Sequence, residues 1–303
     1  MTIVVHNHST LPPELGSSLA EVVRIQEEAG CTVLTDGFYS SRDPVWLAME
    51  CIEGVEAGLP VDYYGAGFMV PTPIVRDHLH YRRDAAVERW RAAQAESQYP
   101  VKAVLPGPLT LAQLADHRGS PYRDRGSLAE AWATALLPEF VALVQAGATW
   151  IQLDEPAVLH CPEAIRLLRD LLEPFWESRE GARLLVSTWG APASPMYAQL
   201  HSLPTDVVGV DLVSNPELVD LISDVGASQE LYLGLAGPNG TVFDGTAFER
   251  KLRKLLHNYE FSQIHLGPTC GLGALAPPSA AQLLRELGGL GRDLSETTHP
   301  LLL

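Results

Sequence analysis

The sequence feature that most limits the possible folds is a repeat of short apolar runs separated by longer amphipathic segments. Each run has four to seven residues, mostly Val, Leu and Ile. This is too short for a typical helix and too continuous for a strand with one face in water. Such runs are typical of strands that are buried on both faces in a parallel sheet. The chain contains eight of them, at Thr2–Val5, Cys31–Thr35, Val101–Leu105, Trp150–Leu153, Arg183–Ser187, Val207–Val213, Leu231–Leu235 and Gln263–Leu266.

The segments between the runs carry residues that start and end helices. Asp43-Pro44, Ser194-Pro195 and Asn215-Pro216 each place a capping side chain before a proline at the first helical position. Gly30 and Gly147 stand where a helix would end before the next strand. The sequence therefore predicts helices that alternate with the apolar strands.

Eight strand–helix units predict an α/β fold, a (β/α)8 TIM barrel, as a single domain over residues 1–303. An open doubly wound sheet would need a glycine-rich turn after the first strand, where this chain has His6–Thr10. The stretch between the second and third strands is unusually long. We expect a helix over Pro44–Ala57 and an insertion over the barrel mouth at about residues 62–100, with a charged helix around Asp84–Ala95.

Composition and charge exclude several classes of protein. The chain has 21 basic and 37 acidic residues, a net charge of −16, which disfavours nucleic acid and anionic membranes as partners. No apolar run approaches about 20 residues, so we expect no membrane span. The N-terminus has no basic segment followed by a long apolar one, and the four cysteines lie far apart. These features predict a reduced, cytoplasmic protein.

Polar residues follow the predicted strands at the end where barrel enzymes carry their chemistry. Three of them are carboxylates, Asp36, Asp154 and Asp211. Carboxylates at three strand ends around one mouth are costly unless they meet cations, polar ligands or protons. The pattern therefore favours a polar ligand that bears an amine or a metal ion. The further candidates at the strand ends are Thr10, Arg42, Thr188, Trp189 and Cys270.

Three motifs resemble those of the cobalamin-independent methionine synthase family, whose fold is related to that of uroporphyrinogen decarboxylase. They are Gly107–Leu111, Ile151–Ala157 and Gly267–Leu272, and the stretches at Asp36-Gly37 and Ile52–Glu56 are also similar. The resemblance covers nearly the whole chain as one barrel, whereas full-length family members carry two. It implies a single-barrel relative that transfers a methyl group to a small amino-acid-like or thiol substrate.

The resemblance also implies a zinc site, and the chain departs from it. In the family, a His-x-Cys pair, a glutamate and a cysteine bind the zinc that lowers the pKa of the substrate thiol. Cys270 matches the last cysteine, and Asp211 falls near the glutamate. The His-x-Cys pair falls on Val186 and Thr188, which supply no soft ligand. We therefore predict no cofactor and no stoichiometric zinc, with no residue assigned as a metal ligand.

The remaining site residues receive roles by the same resemblance. Asp154 would hold an ammonium group and Thr10 a carboxylate, Asp36 and Arg42 would shape the polar floor, and Cys270 would be a thiol facing the substrate, with Asp211, Thr188 and Trp189 as further contacts. Asp154, Asp36 and Cys270 are thus the catalytic candidates. The methyl donor, a folate or a methylated corrinoid, stays open, as does a homo-oligomer or a carrier protein as partner.

Two other functions are compatible with the same barrel. One is acid–base chemistry of the lyase or decarboxylase type, with Asp36 or Asp154 as the acid or base. The other is a non-catalytic binding or partner subunit. A closed polar pocket would favour an enzyme, whereas a mouth filled by Phe38 and Trp189 would favour a scaffold. His6 and His8 lie on one side of the first strand and could share a metal ion, but we favour a polar loop.

Overall fold

The computed structural model describes residues 2–41, 43–240, 250, 252–253, 255 and 262–298. Within this part of the chain, seven of the predicted apolar runs contribute to strands, and a further pair of strands lies in the insertion. The strands are β1 (Thr2–Val5), β2 (Ile52–Asp62), β3 (Met69–Tyr81), β4 (Ala103–Pro106), β5 (Trp150–Asp154), β6 (Arg183–Ser187), β7 (Val207–Asp211), β8 (Glu230–Ala236) and β9 (Gln263–Pro268).

Seven strands form one parallel sheet in the order β1-β9-β8-β7-β6-β5-β4. The second apolar run joins the two edges of this sheet through single bridges, from Val33 to His6 and from Leu34 to Val101. The result is a ring of eight parallel segments, and the predicted (β/α)8 barrel is confirmed. The carboxyl ends of all eight segments therefore meet at one mouth.

Helices lie between the strands, as predicted. They are α1 (Leu19–Ala29), α2 (Pro44–Cys51), α3 (Ala85–Ala95), α4 (Pro108–Leu114), α5 (Arg125–Gln145), α6 (Ala157–His160), α7 (Ile165–Ser178), α8 (Tyr197–Leu200), α9 (Leu218–Val225) and α10 (Pro277–Thr298). Asp43 caps α2 by accepting a hydrogen bond from Trp46 N at 2.7 Å. Gly30 ends α1 in the left-handed region with φ 95°, as its position in the sequence predicts.

The insertion differs from the expectation at its start. The helix predicted over Pro44–Ala57 ends at Cys51, and the chain continues directly as β2. β2 pairs antiparallel with β3 to form a separate two-stranded hairpin. Glu53 and Glu56 suit a helix by local propensity, but cross-strand partners in β3 decide the conformation here.

The helix α5 is long and apolar enough, by length and composition alone, to cross a membrane. It packs against α4, α7 and β3 in the outer layer of the barrel. Glu139 in this helix is buried and accepts hydrogen bonds from Ala86 N at 2.6 Å and Val87 N at 3.0 Å. These contacts are those of a core helix in a globular fold.

The interior of the barrel is unusually polar for this fold, whose core is normally filled by branched apolar residues. An apolar layer that contains Trp150, Leu185, Val207 and Tyr232 lies inside the ring. Glycines on neighbouring strands make room for large side chains. A Cβ atom on Gly267 would overlap the Tyr232 hydroxyl and lie 2.8 Å from His6 O. The buried polar residues that share this interior include His6, His8, Lys102, Gln152, Asp154, Ser187 and His265.

Candidate active site

Asp154 ends β5 and is the buried carboxylate at the centre of the candidate site. Its Oδ1 accepts a hydrogen bond from Gln152 Nε2 at 2.6 Å. Its Oδ2 is buried and has no hydrogen-bond partner among the described residues. Burial raises the pKa of Asp154 to about 7, against the opposing effects of Gln152 and Lys102. A cationic group placed beside Oδ2 would satisfy this oxygen and favour the ionised carboxylate.

Gln152 and His8 connect Asp154 to the neighbouring strands. Gln152 Nε2 lies 3.2 Å from His8 Nε2, which also lies 2.9 Å from Ser187 Oγ. Burial, followed by the charge of Lys102, holds the pKa of His8 well below its usual value. His8 is therefore a neutral ring that fixes the position of its neighbours. His6 makes different contacts, with its Nε2 3.0 Å from His265 Nδ1.

The loop of the β2–β3 hairpin closes the mouth above this network. The ring of Tyr63 in this loop lies 5.6 Å from the rings of both Trp189 and Phe68. Trp189 in turn lies 5.3 Å from the His8 ring. Tyr63 Oη and Trp189 Nε1 are buried, and neither has a hydrogen-bond partner in the part of the chain that is described. The hairpin loop thus packs over the mouth and leaves polar atoms there without partners among the described residues.

Thr10 lies at the same mouth, after β1. Its Oγ1 is buried, and the structure gives it no hydrogen-bond partner among the residues described. Gly271 is required here because a Cβ atom would overlap Thr10 Oγ1 and lie 3.2 Å from Phe68 Cε1. Gly271 therefore lies close to both Thr10 and Phe68, at the edge of the ring contacts that join Phe68 to Tyr63 and Trp189.

Asp36 does not join this group through any of its own hydrogen bonds. Its Oδ2 accepts hydrogen bonds from Arg89 Nε at 2.9 Å and from Arg89 Nη2, and its Oδ1 accepts one from Phe38 N at 3.1 Å. Arg89 also stacks on the Phe38 ring at 4.7 Å. The carboxylate that the sequence places at the second strand end is therefore engaged by α3. Arg42 lies outside the described residues.

The positions of the family's zinc ligands do not fit a zinc site. Asp211 Oδ1 accepts hydrogen bonds from Val213 N at 2.9 Å and Ser214 N at 3.0 Å, so it caps a turn. Thr188 Oγ1 donates to Gly209 O at 2.9 Å. Burial raises the pKa of the Cys270 thiol to about 12, which disfavours the thiolate that binds zinc. Nowhere in the described ranges do three or more His, Cys, Asp or Glu side chains come together in a way that could hold a metal ion.

Glu155, next to Asp154 in the same motif, has a structural role. Its carboxylate accepts hydrogen bonds from Leu109 N at 3.0 Å, Thr110 N at 2.8 Å and Thr110 Oγ1 at 2.7 Å. It thereby binds the first turn of α4, where the helix dipole favours a negative charge. Gly107 must lack a side chain because a Cβ atom there would overlap this carboxylate. The two motifs at Gly107–Leu111 and Ile151–Ala157 are thus held together by Glu155.

Lys102 is the interior residue that sequence reasoning missed. It lies between the bridge at Val101 and β4, is 1% exposed, and its Nζ has no hydrogen-bond partner within the described chain. The Nζ atom lies 5.5 Å from the centre of the Tyr232 ring. Burial lowers the pKa of Lys102 to about 7, although the carboxylate of Asp154 opposes this shift. The sequence did contain one indication of this role, because Lys102 is a charged residue inside the apolar run Val101–Leu105, which predicts a buried strand.

The comparisons with known proteins agree with the motifs. The family described as "Cobalamin-independent synthase, N-terminal domain" matches residues 64–256. A 5-methyltetrahydropteroyltriglutamate–homocysteine methyltransferase of Neisseria meningitidis serogroup A is 34% identical over 191 residues, which are 60% of this chain and 23% of that protein. The protein of the same name from Thermosynechococcus vestitus is 27% identical over 278 residues, 85% of this chain and 35% of that one. The chain thus spans about a quarter to a third of the length of these relatives.

Solved structures show the same fold. A B12-independent methionine synthase from a Shewanella species, in complex with selenomethionine, has a TM-score of 0.80 at 18% identity and covers 98% of this chain and 99% of that chain. A methyltransferase from Methanosarcina mazei has a TM-score of 0.65 at 14% identity, with 95% and 93% covered. At these identities the likeness supports the barrel alone.

Proposed function

Because the chain belongs to the family described as the N-terminal domain of cobalamin-independent synthases, we propose that it is a methyltransferase-like enzyme that binds an amino-acid thiol beneath the hairpin loop. The curated relatives are named as methyltransferases acting on homocysteine and a methylated folate. We therefore take homocysteine as the acceptor class and a methylated folate as the donor class. The family description, cobalamin-independent, favours a folate over a corrinoid donor.

The observation that carries this proposal is the set of buried, unpaired polar atoms at the mouth. Asp154 Oδ2 is an acceptor, whereas Trp189 Nε1, Tyr63 Oη and Thr10 Oγ1 can all donate. A zwitterionic amino acid supplies what both sets lack, an ammonium for Asp154 and a carboxylate for the donors. Leaving such groups buried without partners is expensive, so a polar ligand is the natural complement.

In this arrangement the chain's own residues bind and orient the acceptor. Asp154 holds the ammonium group, Gln152 and His8 fix the Asp154 side chain, and Tyr63 excludes water from above. Methyl transfer then breaks the S–H bond of the acceptor, forms a bond between its sulfur and the methyl carbon, and breaks the bond from that carbon to the donor nitrogen. The nitrogen keeps the electron pair of the broken bond and takes up a proton, so one proton leaves the thiol and one joins the donor. Cys270 stays a neutral thiol in this scheme, and Asp36 keeps its pairing with Arg89.

The test is an assay for methionine by mass spectrometry after incubation with L-homocysteine and 5-methyltetrahydropteroyltriglutamate. Wild-type protein is expected to form methionine. Asp154→Asn should lose at least about tenfold in kcat/KM, because a hydrogen bond to a charged group contributes about 1.5–3 kcal/mol. Glu173→Gln, at an exposed position of α7, is the matched control. Absence of methionine, or an unchanged rate in Asp154→Asn, would contradict the proposal.

A second candidate, a binding barrel without chemistry, is favoured by one observation. Phe38 and Trp189 are both buried, and Trp189 with Tyr63 occupies the mouth. The same assay separates the two functions, since a binding barrel would bind homocysteine in a calorimetric titration and form no methionine.

A further inference from the structure

Lys102 stands out because this chain almost avoids lysine. Of its 21 basic residues, 18 are arginine and three are lysine, at positions 102, 251 and 254. Arginine is always charged in proteins, whereas a lysine amine can lose its proton when it is buried. Of these three lysines, the structure describes Lys102. Its side chain is buried inside the barrel, at 1% exposure, and its Nζ has no hydrogen-bond partner among the described residues. Among the described residues, this position thus holds the one lysine, a side chain that can lose its proton to become a neutral amine.

Burial sets the charge state of Lys102 first, and the titratable groups around it act second. Desolvation by burial, followed by the charge of Lys102, holds the pKa values of both His6 and His8 well below the usual range, so these rings are neutral. The carboxylate whose charge acts on Lys102 is Asp154, which is the proposed ammonium-binding residue. The groups that face Lys102 from the surrounding strands are His6, His8, Cys31, Asp154, Tyr232 and His265.

We propose that Lys102 is the base that accepts the proton of the substrate thiol. This inference rests on the proposed function, and it names the group that activates the acceptor. The S–H bond breaks, its electron pair stays on sulfur as a thiolate, and the proton forms a new N–H bond at Nζ. The product is a buried ammonium–thiolate pair. Its sulfur then attacks the methyl carbon of the donor while the bond from that carbon to the donor nitrogen breaks. The nitrogen keeps the electron pair of that bond and takes up one proton, which balances the proton accepted at Nζ. No metal and no redox partner take part in this step.

Binding of the substrate keeps Asp154 ionised. The carboxylate of Asp154 opposes the burial that lowers the pKa of Lys102 to about 7, and an ammonium group beside Oδ2 stabilises this ionised form. An ordinary thiol has a pKa of about 8.5, so proton transfer to an amine with a pKa of about 7 is unfavourable by about 30-fold in isolation. The attraction between ammonium and thiolate in contact, away from water, exceeds this difference. The proton therefore moves once both ends of the substrate are bound.

The experiment follows the thiol proton with L-homocysteine as the probe. At pH 8 Lys102 is mostly neutral and Asp154 mostly ionised, so the thiol proton should stay on the protein. Calorimetric titrations in two buffers of different ionisation enthalpy should show no net proton release by wild type. The ultraviolet absorbance of a thiolate should appear on binding, and L-methionine, which has no thiol, should give none.

Two variants separate a base from a mere positive charge. Lys102→Met should bind methionine as wild type does and lose the thiolate absorbance. Lys102→Arg keeps a charge but accepts no proton, so it should release about one proton per homocysteine bound at pH 8. If Lys102→Arg fails to fold, the proton release measured for wild type and the thiolate absorbance of Lys102→Met still test the proposal.

Release of one proton by wild type at pH 8, or a thiolate band that persists in Lys102→Met, would overturn the role of Lys102 and leave the proposed function standing. A complete lack of homocysteine binding by wild type would overturn the proposed function, and the inference would fall with it.

Discussion

The buried amine of Lys102 makes a prediction about stability that does not depend on any ligand. Burial lowers the pKa of Lys102 from 10.5 to about 7. At about 1.4 kcal/mol per pH unit, the buried charge lowers the free energy of unfolding by at most about 5 kcal/mol below pH 7. Methionine has a similar shape and no charge, so Lys102→Met should remove this cost. We expect the variant to have a free energy of unfolding about 2–4 kcal/mol above that of wild type at pH 7.

The sign of the pH dependence follows from the lowered pKa. Between pH 7 and 10.5 the unfolded chain holds a proton on Lys102 that the folded chain lacks, so wild-type stability rises with pH in this window. The advantage of Lys102→Met should therefore shrink steadily from pH 7 to pH 10. Asp154, with a pKa of about 7, titrates at the lower edge of this window, so the Lys102 effect is read most directly between pH 8 and pH 10.

Urea unfolding monitored by circular dichroism at pH 7, 8, 9 and 10 measures this difference. Arg24→Met is the matched control, since Arg24 lies exposed on α1 in pairs with Glu21 and Glu28, and its effect should stay within about 0.5 kcal/mol at every pH. A Lys102→Met variant less stable than wild type at pH 7 would refute the argument. So would an advantage that stays constant up to pH 10.

Three further predictions follow from the same structure. The stability of Asp154→Asn relative to wild type should increase as pH rises from 4 to 7, by up to about 4 kcal/mol, because folded wild type keeps a proton on Asp154 that the unfolded chain loses. Urea unfolding at pH 5 and pH 8 tests this, and a stability difference independent of pH would contradict it. Gly267→Ala should lower the free energy of unfolding by about 1–3 kcal/mol because its Cβ crowds the Tyr232 hydroxyl, whereas Gly181→Ala, with no atom within 4 Å of the new Cβ, should lower it much less. Equal melting temperatures for the two variants would contradict this crowding. Elemental analysis of untagged protein should find well below one zinc per chain, and one zinc per chain that disappears in Cys270→Ser would restore the family's metal site.

The barrel could be predicted from sequence because its strands are buried on both faces. Each apolar run, such as Trp150–Leu153 or Val207–Val213, is recognisable without knowledge of its neighbours, and the observed strands follow these runs within a few residues. The hairpin could not be predicted in the same way. Residues 52–57 become strand only because Met69–Tyr81 pairs with them, and that partner is not visible in the local pattern.

The candidate site could be predicted only where its residues directly follow a recognisable strand. Asp154 and Thr10 follow strands and point to the mouth, where the structure leaves Asp154 Oδ2 and Thr10 Oγ1 unpaired among the described residues. Asp36 also follows a strand, but Arg89, 53 residues away, takes its carboxylate. Tyr63 was missed because it reaches the mouth from the insertion. The search of strand ends likewise passed over Lys102 because it lies inside the ring.

The central claim, that Asp154 binds the ammonium group of an amino-acid thiol under the hairpin, has a direct test in one calorimetric comparison. L-homocysteine and 4-sulfanylbutanoate differ only in the amino group, and both are titrated into wild type and Asp154→Asn. The account predicts that wild type binds homocysteine about 10- to 100-fold more tightly, as a hydrogen bond to a charged group would give. It also predicts that Asp154→Asn binds the two compounds about equally. Equal affinities in wild type, or a preference for homocysteine that survives in Asp154→Asn, would contradict it.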